Sequence, residues 1–180
     1  MKGIVFDEFL QMVEKTFGLE TVDTIITNSD LPSNGIYTAV GTYDFNEMVE
    51  LITNLSKEIN VPAPELIHKF GHYLFDSLLA THPEVVSSYK SPIALVASIE
   101  DHIHVHVRKL YPDAELPSFK ILEQDSDKIR MIYASSRGLY MLAKGLMEKT
   151  FEHFGNEVNV DYKLLKEDGT EVEFLLKQVG

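Results

Sequence analysis

Ser91-Pro92-Ile93-Ala94-Leu95-Val96-Ala97-Ser98-Ile99-Glu100-Asp101-His102-Ile103-His104-Val105-His106-Val107-Arg108-Lys109-Leu110-Tyr111-Pro112 can be read in two ways, and the choice decides the fold. Inside it, Asp101 to Val107 alternates strictly between polar and apolar residues. Read as a strand, that alternation puts His102, His104 and His106 on one face, a ready metal site. Read as a helix, His102 and His106 share a face at i, i+4 while His104 lies almost opposite. Length arbitrates. The window from Pro92 to Leu110 is too long for one strand, and within it Val96, Ile99, Ile103, Val107 and Leu110 recur at spacings 3, 4, 4, 3. Ser91-Pro92 is a start signal, a capping hydroxyl followed by proline at the first helical position, and Tyr111-Pro112 is the next break. The helix reading prevails, and a three-histidine mononuclear site falls with the strand. His102 and His106 are then partly exposed surface residues. His104 is left alone, flanked in helical register by Ala97, Val107 and Tyr111; a lone histidine is more often structural than a ligand.

Upstream the pattern stays helical. Phe6, Leu10, Val13 and Phe17 define an amphipathic helix over 4–17 with Gly18 placed to end it. A short helical piece over 21–27 runs into the breaker-rich loop Asn28-Ser29-Asp30-Leu31-Pro32-Ser33-Asn34-Gly35. Asp44, with Glu47 three residues on, predicts a capped helix carrying Met48, Ile52, Leu55 and Ile59. Val61-Pro62-Ala63-Pro64 breaks that helix and starts another, over 65–80, expected to bury Ile67, Phe70, Leu74 and Leu78.

Downstream of Pro117 the texture changes. Residues 118–123 and 128–135 read as strands joined by Gln124-Asp125-Ser126-Asp127. A helix follows, with Leu139, Leu142, Leu146 and Phe154 on one face and Gly155 as its stop. Residues 157–165 and 171–177 form a final hairpin around Lys166-Glu167-Asp168-Gly169-Thr170. The expected fold is α+β. A helical unit over 1–62 precedes a unit over 63–180 with a roughly four-stranded antiparallel sheet and helices, the whole forming a single domain over 1–180.

Composition narrows the function. The 180 residues carry 16 Lys+Arg against 28 Asp+Glu, a net charge of −12. Such a surface repels phosphate, so neither nucleic acid nor an anionic membrane is an expected partner. There is no cysteine, which removes disulfides, thiolate zinc sites, iron–sulfur clusters and cysteine nucleophiles together. Met1-Lys2-Gly3-Ile4-Val5-Phe6-Asp7-Glu8 meets acids too early for a secretory signal. The apolar stretch 93–99 is far short of a membrane span. A cytoplasmic location is expected. His68, His72 and Asp76 line up at i, i+4, i+8 and could form a metal face, but Lys69 stands where a metalloprotease helix would carry its Glu, so a solvated face is the better reading.

Tyr133-Ala134-Ser135-Ser136-Arg137 sets a Tyr-x-Ser-x-Arg motif at the end of a predicted strand. Two hydroxyls and a guanidinium beside a helix start make a receptor for paired carboxylates. Together with His104, the Leu110-Tyr111-Pro112 that follows it, Pro117 with Phe119, and the Met1-Lys2-Gly3 start, this motif resembles the H-NOX family, the haem-nitric-oxide/oxygen-binding domains related to the haem domain of soluble guanylate cyclase. The resemblance runs along the whole chain, in order.

That resemblance implies haem b between the two units, with His104 as the iron ligand and metal-binding residue. It implies that Tyr133, Ser135 and Arg137 hold the haem propionates and that Pro117 presses on the porphyrin. Val5, Phe9, Leu74, Leu78, Leu142 and Leu146 match pocket walls, a role ordinary core packing would also explain. Oxygen-binding members carry a Tyr five residues beyond the Arg, and Leu142 stands there. Bound oxygen needs a hydrogen-bond donor and ferrous nitrosyl does not, so an aliphatic wall favours NO and CO. The expected function is a non-enzymatic, stand-alone NO sensor in which NO weakens the iron–His104 bond. The signal would pass to a histidine kinase or a cyclic-di-GMP enzyme. The Cys-rich zinc site of some bacterial members cannot form in this chain. The alternatives are a metal-dependent hydrolase using the clustered histidines, haem-based O₂ binding, and a plain interaction domain.

Overall fold

A computed structural model of the chain describes residues 1–179. Helix α1, Gly3–Phe17, buries Phe6, Phe9, Met12 and Val13, a row shifted slightly from the expected stripe because Leu10 and Phe17 stay half-exposed. Gly18, at φ 91°, turns the chain out of the helix, and its N–H bonds to the Glu14 carbonyl at 2.9 Å. α2, Leu19–Thr27, and α3, Phe45–Ile59, close over the same core. Asp44 caps α3 by accepting from the Asn46 N–H at 2.9 Å. Glu47 does not complete a capping box; its buried carboxylate accepts instead from the hydroxyls of Ser33 and Tyr37. That contact pins the irregular 28–44 loop to α3.

α4, Ala63–Thr81, supplies Leu66, Phe70 and Leu74 to this first core. Its far end differs from expectation. Leu78 is 44% exposed, while Leu66 and Phe75 are buried in its stead. α5, Pro83–Ser87, and α6, Pro92–Ala97, follow, the latter capped as expected by Ser91 Oγ accepting from the Ala94 N–H at 3.2 Å.

The window 92–110 is helical in kind but not one helix. α6 ends at Ala97, a π-helical turn occupies Ile99–Ile103, and α7 runs from His104 to Leu110. The extra residue of a π turn rotates everything beyond it relative to α6. It delivers His104 inward as the first residue of α7, whereas Val105 and Leu110 are more than 40% exposed.

The second half is a four-stranded antiparallel sheet of order β1-β2-β4-β3, built from β1 Ser118–Gln124, β2 Lys128–Ala134, β3 Glu157–Leu164 and β4 Glu171–Val179. Period-two alternation places Ile129, Met131 and Tyr133 of β2 beside Leu176, Phe174 and Val172 of β4, none more than 1% exposed. Each such buried side chain contributes roughly 1.5–3 kcal/mol. α8, Tyr140–His153, lies across the inner face and stops at Gly155 with φ 74°. Ala143, Met147 and Phe151 pack on the sheet core, while Leu142 and Leu146 pack on the first core. α8 is therefore buried on two sides and joins the two cores.

α4 and α8 meet at Gly71 and Gly145. A methyl group at Gly145 would fall 2.3 Å from the His68 carbonyl oxygen and 3.1 Å from Gly71 Cα, so the backbones themselves touch. Along this seam the histidine row is not a solvated face. His68 and His72 are half-buried, and their Nε2 atoms stand 2.5 and 3.3 Å from Glu148 Oε2. Asp76 is drawn away to Lys149 at 3.6 Å. Burial alone would raise the Glu148 pKa, but hydrogen bonds from His72, Lys144 and His68 hold it at about 2.

Candidate functional site

His104 is 7% exposed, and its Nδ1 is buried without a hydrogen-bond partner. The nearest acceptor, Glu100 Oε1, stands 3.4 Å away and already accepts the Phe119 N–H at 2.7 Å. Burial pushes the imidazole pKa down, against the opposing pull of Glu100, which favours the neutral ring that ligates metals. From His104 a file of aromatic rings leads into the sheet: Phe119 at 5.9 Å, Tyr133 a further 5.6 Å on, then Phe174 at 6.3 Å. The Phe119 ring thus neighbours both His104 and Tyr133. Burial raises the Tyr133 phenol, with Ser135 opposing.

Beyond Tyr133, β2 ends and the chain turns. Ser135 N–H bonds to the Thr170 carbonyl at 2.9 Å, Arg137 N–H bonds to Ser135 Oγ at 3.3 Å, and Gly138 adopts φ 61°. α8 starts only at Tyr140, so the motif sits in the turn before the helix. The Arg137 guanidinium donates to the Glu115 carbonyl at 2.8 Å and to the Glu115 carboxylate, and it lies 5.8 Å from the Phe45 ring centroid. It lines a cavity of about 380 Å³ with Met1, Lys2, Tyr43, Phe45 and Glu115. The carboxylate of Glu115 thus occupies Arg137 from within the chain.

Met1 also lines a second, entirely apolar pocket whose walls include Val5, Ile67, Phe70, Leu139 and Leu142. These side chains approach closely enough to leave about 10 Å³ between them. Phe9 lies behind this wall, fully buried edge-on to Phe70 at 5.3 Å. Leu74 belongs to the first core, Leu146 is half-buried against it, and Pro117 is half-buried in the segment between α7 and β1. Leu78, exposed at the end of α4, stands apart from the others.

The family model HNOB (Haem-NO-binding) matches residues 2–162. The chain belongs to the H-NOX family. An Fe(II) unliganded H-NOX protein from K. algicida is 48% identical, with a TM-score of 0.97 over 100% of this chain and 97% of that one. The Fe(II)CO H-NOX from Shewanella woodyi, bound to IWP-051, is 37% identical at TM-score 0.84 over 99% and 95%. The Fe(II)NO H-NOX from S. oneidensis is 25% identical at TM-score 0.91 over 100% of both chains. The four-stranded antiparallel sheet with its surrounding helices is the H-NOX architecture.

H-NOX domains are haem-binding gas sensors, and the residues of this chain suit a haem. A buried imidazole has its Nδ1 without a hydrogen-bond partner, a guanidinium pairs with a carboxylate, and Met1 lines both the cavity at Arg137 and a pocket of apolar side chains. Three contributors escaped the sequence reading. Glu100, about one helical turn before His104, stands 3.4 Å from its Nδ1; Glu115 occupies Arg137; and Lys2 bonds Asp113 at 2.8 Å. Only Glu100 had a local signal, its i, i+4 relation to His104, and the two longer-range pairs have none.

Proposed function

We propose that this H-NOX domain is a cytoplasmic, non-enzymatic nitric oxide sensor that binds haem b through His104. A bound haem would supply an iron able to take up a diatomic gas. His104 would hold the iron, and burial, which pushes its pKa down, favours the neutral ring. Tyr133, Ser135 and Arg137 would hold the propionates, Arg137 in place of its present partner Glu115. Pro117, in the segment between α7 and β1, would bear on the porphyrin. Val5, Phe9, Leu74, Leu78, Leu142 and Leu146 would wall the pocket, most of them on the ligand side; Leu78 is 44% exposed at the end of α4.

The observation that carries the NO assignment is the pocket around Leu142. Its walls are Met1, Val5, Met48, Ile52, Ile67, Phe70, Leu139 and Leu142, and none of these side chains donates a hydrogen bond. NO and CO need no donor, whereas bound O₂ carries partial negative charge and does. The signal leaves through the helix that begins at His104: a change at the imidazole moves α7 and the segment ending at Pro117. The units 1–62 and 63–180 then shift against one another, toward a histidine kinase or a cyclic-di-GMP enzyme. The net charge of −12 suits a basic face on that partner.

The test is haem reconstitution of the wild type and of H104A. The variant is expected to lose haem on gel filtration and to regain it with added imidazole. Full haem retention by H104A with an unchanged spectrum would overturn the assignment.

A further inference from the structure

We propose that His68 and His72 of α4 and Glu148 of α8 form a binding site for a divalent metal ion of the zinc type, which clamps the two helices together. The site uses none of the residues assigned to the haem and stands apart from that reading. The nearest ligand atoms of the three side chains all lie within 4.8 Å of one another. The two imidazoles come from one helical face at i, i+4, a spacing that lets both Nε2 atoms converge. The structure adds what the sequence could not, a carboxylate from another helix aimed at the same point. Both Nε2 atoms face a single oxygen, Oε2, at 2.5 and 3.3 Å. Zinc ligands stand about 2.0–2.2 Å from the ion, which places ligand atoms of a tetrahedral site roughly 3.4 Å from one another. The His72 distance already matches, and a small rotation of the His68 ring opens the other.

Two neighbours hold the ligating side chains in place. Lys144 occupies the second carboxylate oxygen, Oε1, and so fixes the orientation in which Oε2 meets the histidines. Gly145 leaves room for the His72 ring, because a methyl group there would come within 3.2 Å of its Cδ2. The three side chains are 25%, 34% and 22% exposed, sheltered by the seam yet open to an entering ion and to a water as fourth ligand. Two imidazoles and one carboxylate suit zinc better than calcium or magnesium, which prefer all-oxygen cages. The second trio, His82, Glu84 and His106, is looser, with Glu84 62% exposed and its contacts at 3.4 and 4.0 Å; it serves as the control.

The experiment titrates zinc chloride into the full chain as purified, after chelator treatment, by calorimetry near neutral pH. One zinc per chain is expected, with the unfolding temperature raised by about 5 °C when zinc stands a hundredfold over its Kd. H68Q and E148Q should each weaken binding by about tenfold or more, and the double variant H82Q/H106Q should bind as the wild type does. Absence of zinc binding to the wild type would overturn the proposal. So would wild-type affinity in H68Q and E148Q. Should a variant fail to fold, ring resonances of the wild type decide: zinc must shift those of His68 and His72, and a shift confined to His82 and His106 would contradict the site.

Discussion

Lys2 Nζ lies 2.8 Å from Asp113 Oδ1 and 3.1 Å from Oδ2, tying the start of α1 to the segment that follows α7. The same ammonium bonds the Val40 carbonyl at 2.6 Å and Thr42 Oγ1 at 3.0 Å, while Thr42 donates to Asp113 at 2.7 Å. Three separate stretches of chain thus meet at one charge. Any movement of the segment between His104 and Pro117 must pull on this knot.

The knot predicts a pH dependence. Lys2 and Thr42 lower the Asp113 carboxyl from 3.8 to about 2. A carboxyl depressed in the folded state stabilises it fully above the unfolded value of 3.8 and loses that contribution as pH falls toward 2. Urea midpoints measured across this window should fall less steeply in D113N than in the wild type. Parallel curves would show that the pair contributes nothing. Asp113 is 60% exposed, so added salt should also shrink the difference.

The contact of α4 with α8 predicts the effect of a single methyl group. With 2.3 Å to the His68 oxygen, G145A must push the helices apart, at a cost of about 1–3 kcal/mol, more if the backbones cannot yield. Denaturant unfolding checks this, and an unchanged midpoint would mean that the helices slide freely.

Ligand choice should turn on Leu142. L142Y places a phenol in the apolar pocket, and one hydrogen bond to bound oxygen is worth about 1.5 kcal/mol, roughly tenfold in affinity. Stopped-flow mixing of the reduced variant with O₂ should reveal an oxygen complex longer-lived than in the wild type, while CO affinity changes little.

Arg137 should matter for holding haem. If Arg137 holds a propionate as proposed, R137Q loses a charge-assisted pair worth about 1.5–3 kcal/mol, and haem should transfer to an apo-globin acceptor at least about tenfold faster. An unchanged transfer rate would leave the guanidinium to Glu115 alone.

Much of this was legible in the sequence because the signals are local. Ser91-Pro92, Asp44 and Gly155 mark ends through their own backbone chemistry, and alternation in 128–134 and 171–176 marks buried strand faces. The break at Ser98–Ile103 was hidden because the stripe from Val96 to Leu110 continues across it; one inserted residue in the turn changes rotation, not periodicity. The stripe Leu139, Leu142, Leu146 marks only one face of α8, yet Ala143, Met147 and Phe151 are buried on a second face, a consequence of lying between two cores. At the candidate site, His104 and the Tyr133–Arg137 turn emerged from motif and resemblance. Glu115, Lys2 and Glu148 pair across at least 22 residues, and no spacing rule reaches that far.

The central claim, NO binding at a haem held by His104 in a pocket without donors, meets its most direct test in one absorption experiment. The purified protein is reduced anaerobically, its visible spectrum is taken, and NO is added to one portion and air to another. The expected result is a five-coordinate ferrous haem spectrum that shifts with NO and forms no stable oxygen complex in air. A stable oxygen complex would contradict the ligand selectivity, and no haem band after reconstitution with hemin would contradict the sensor itself.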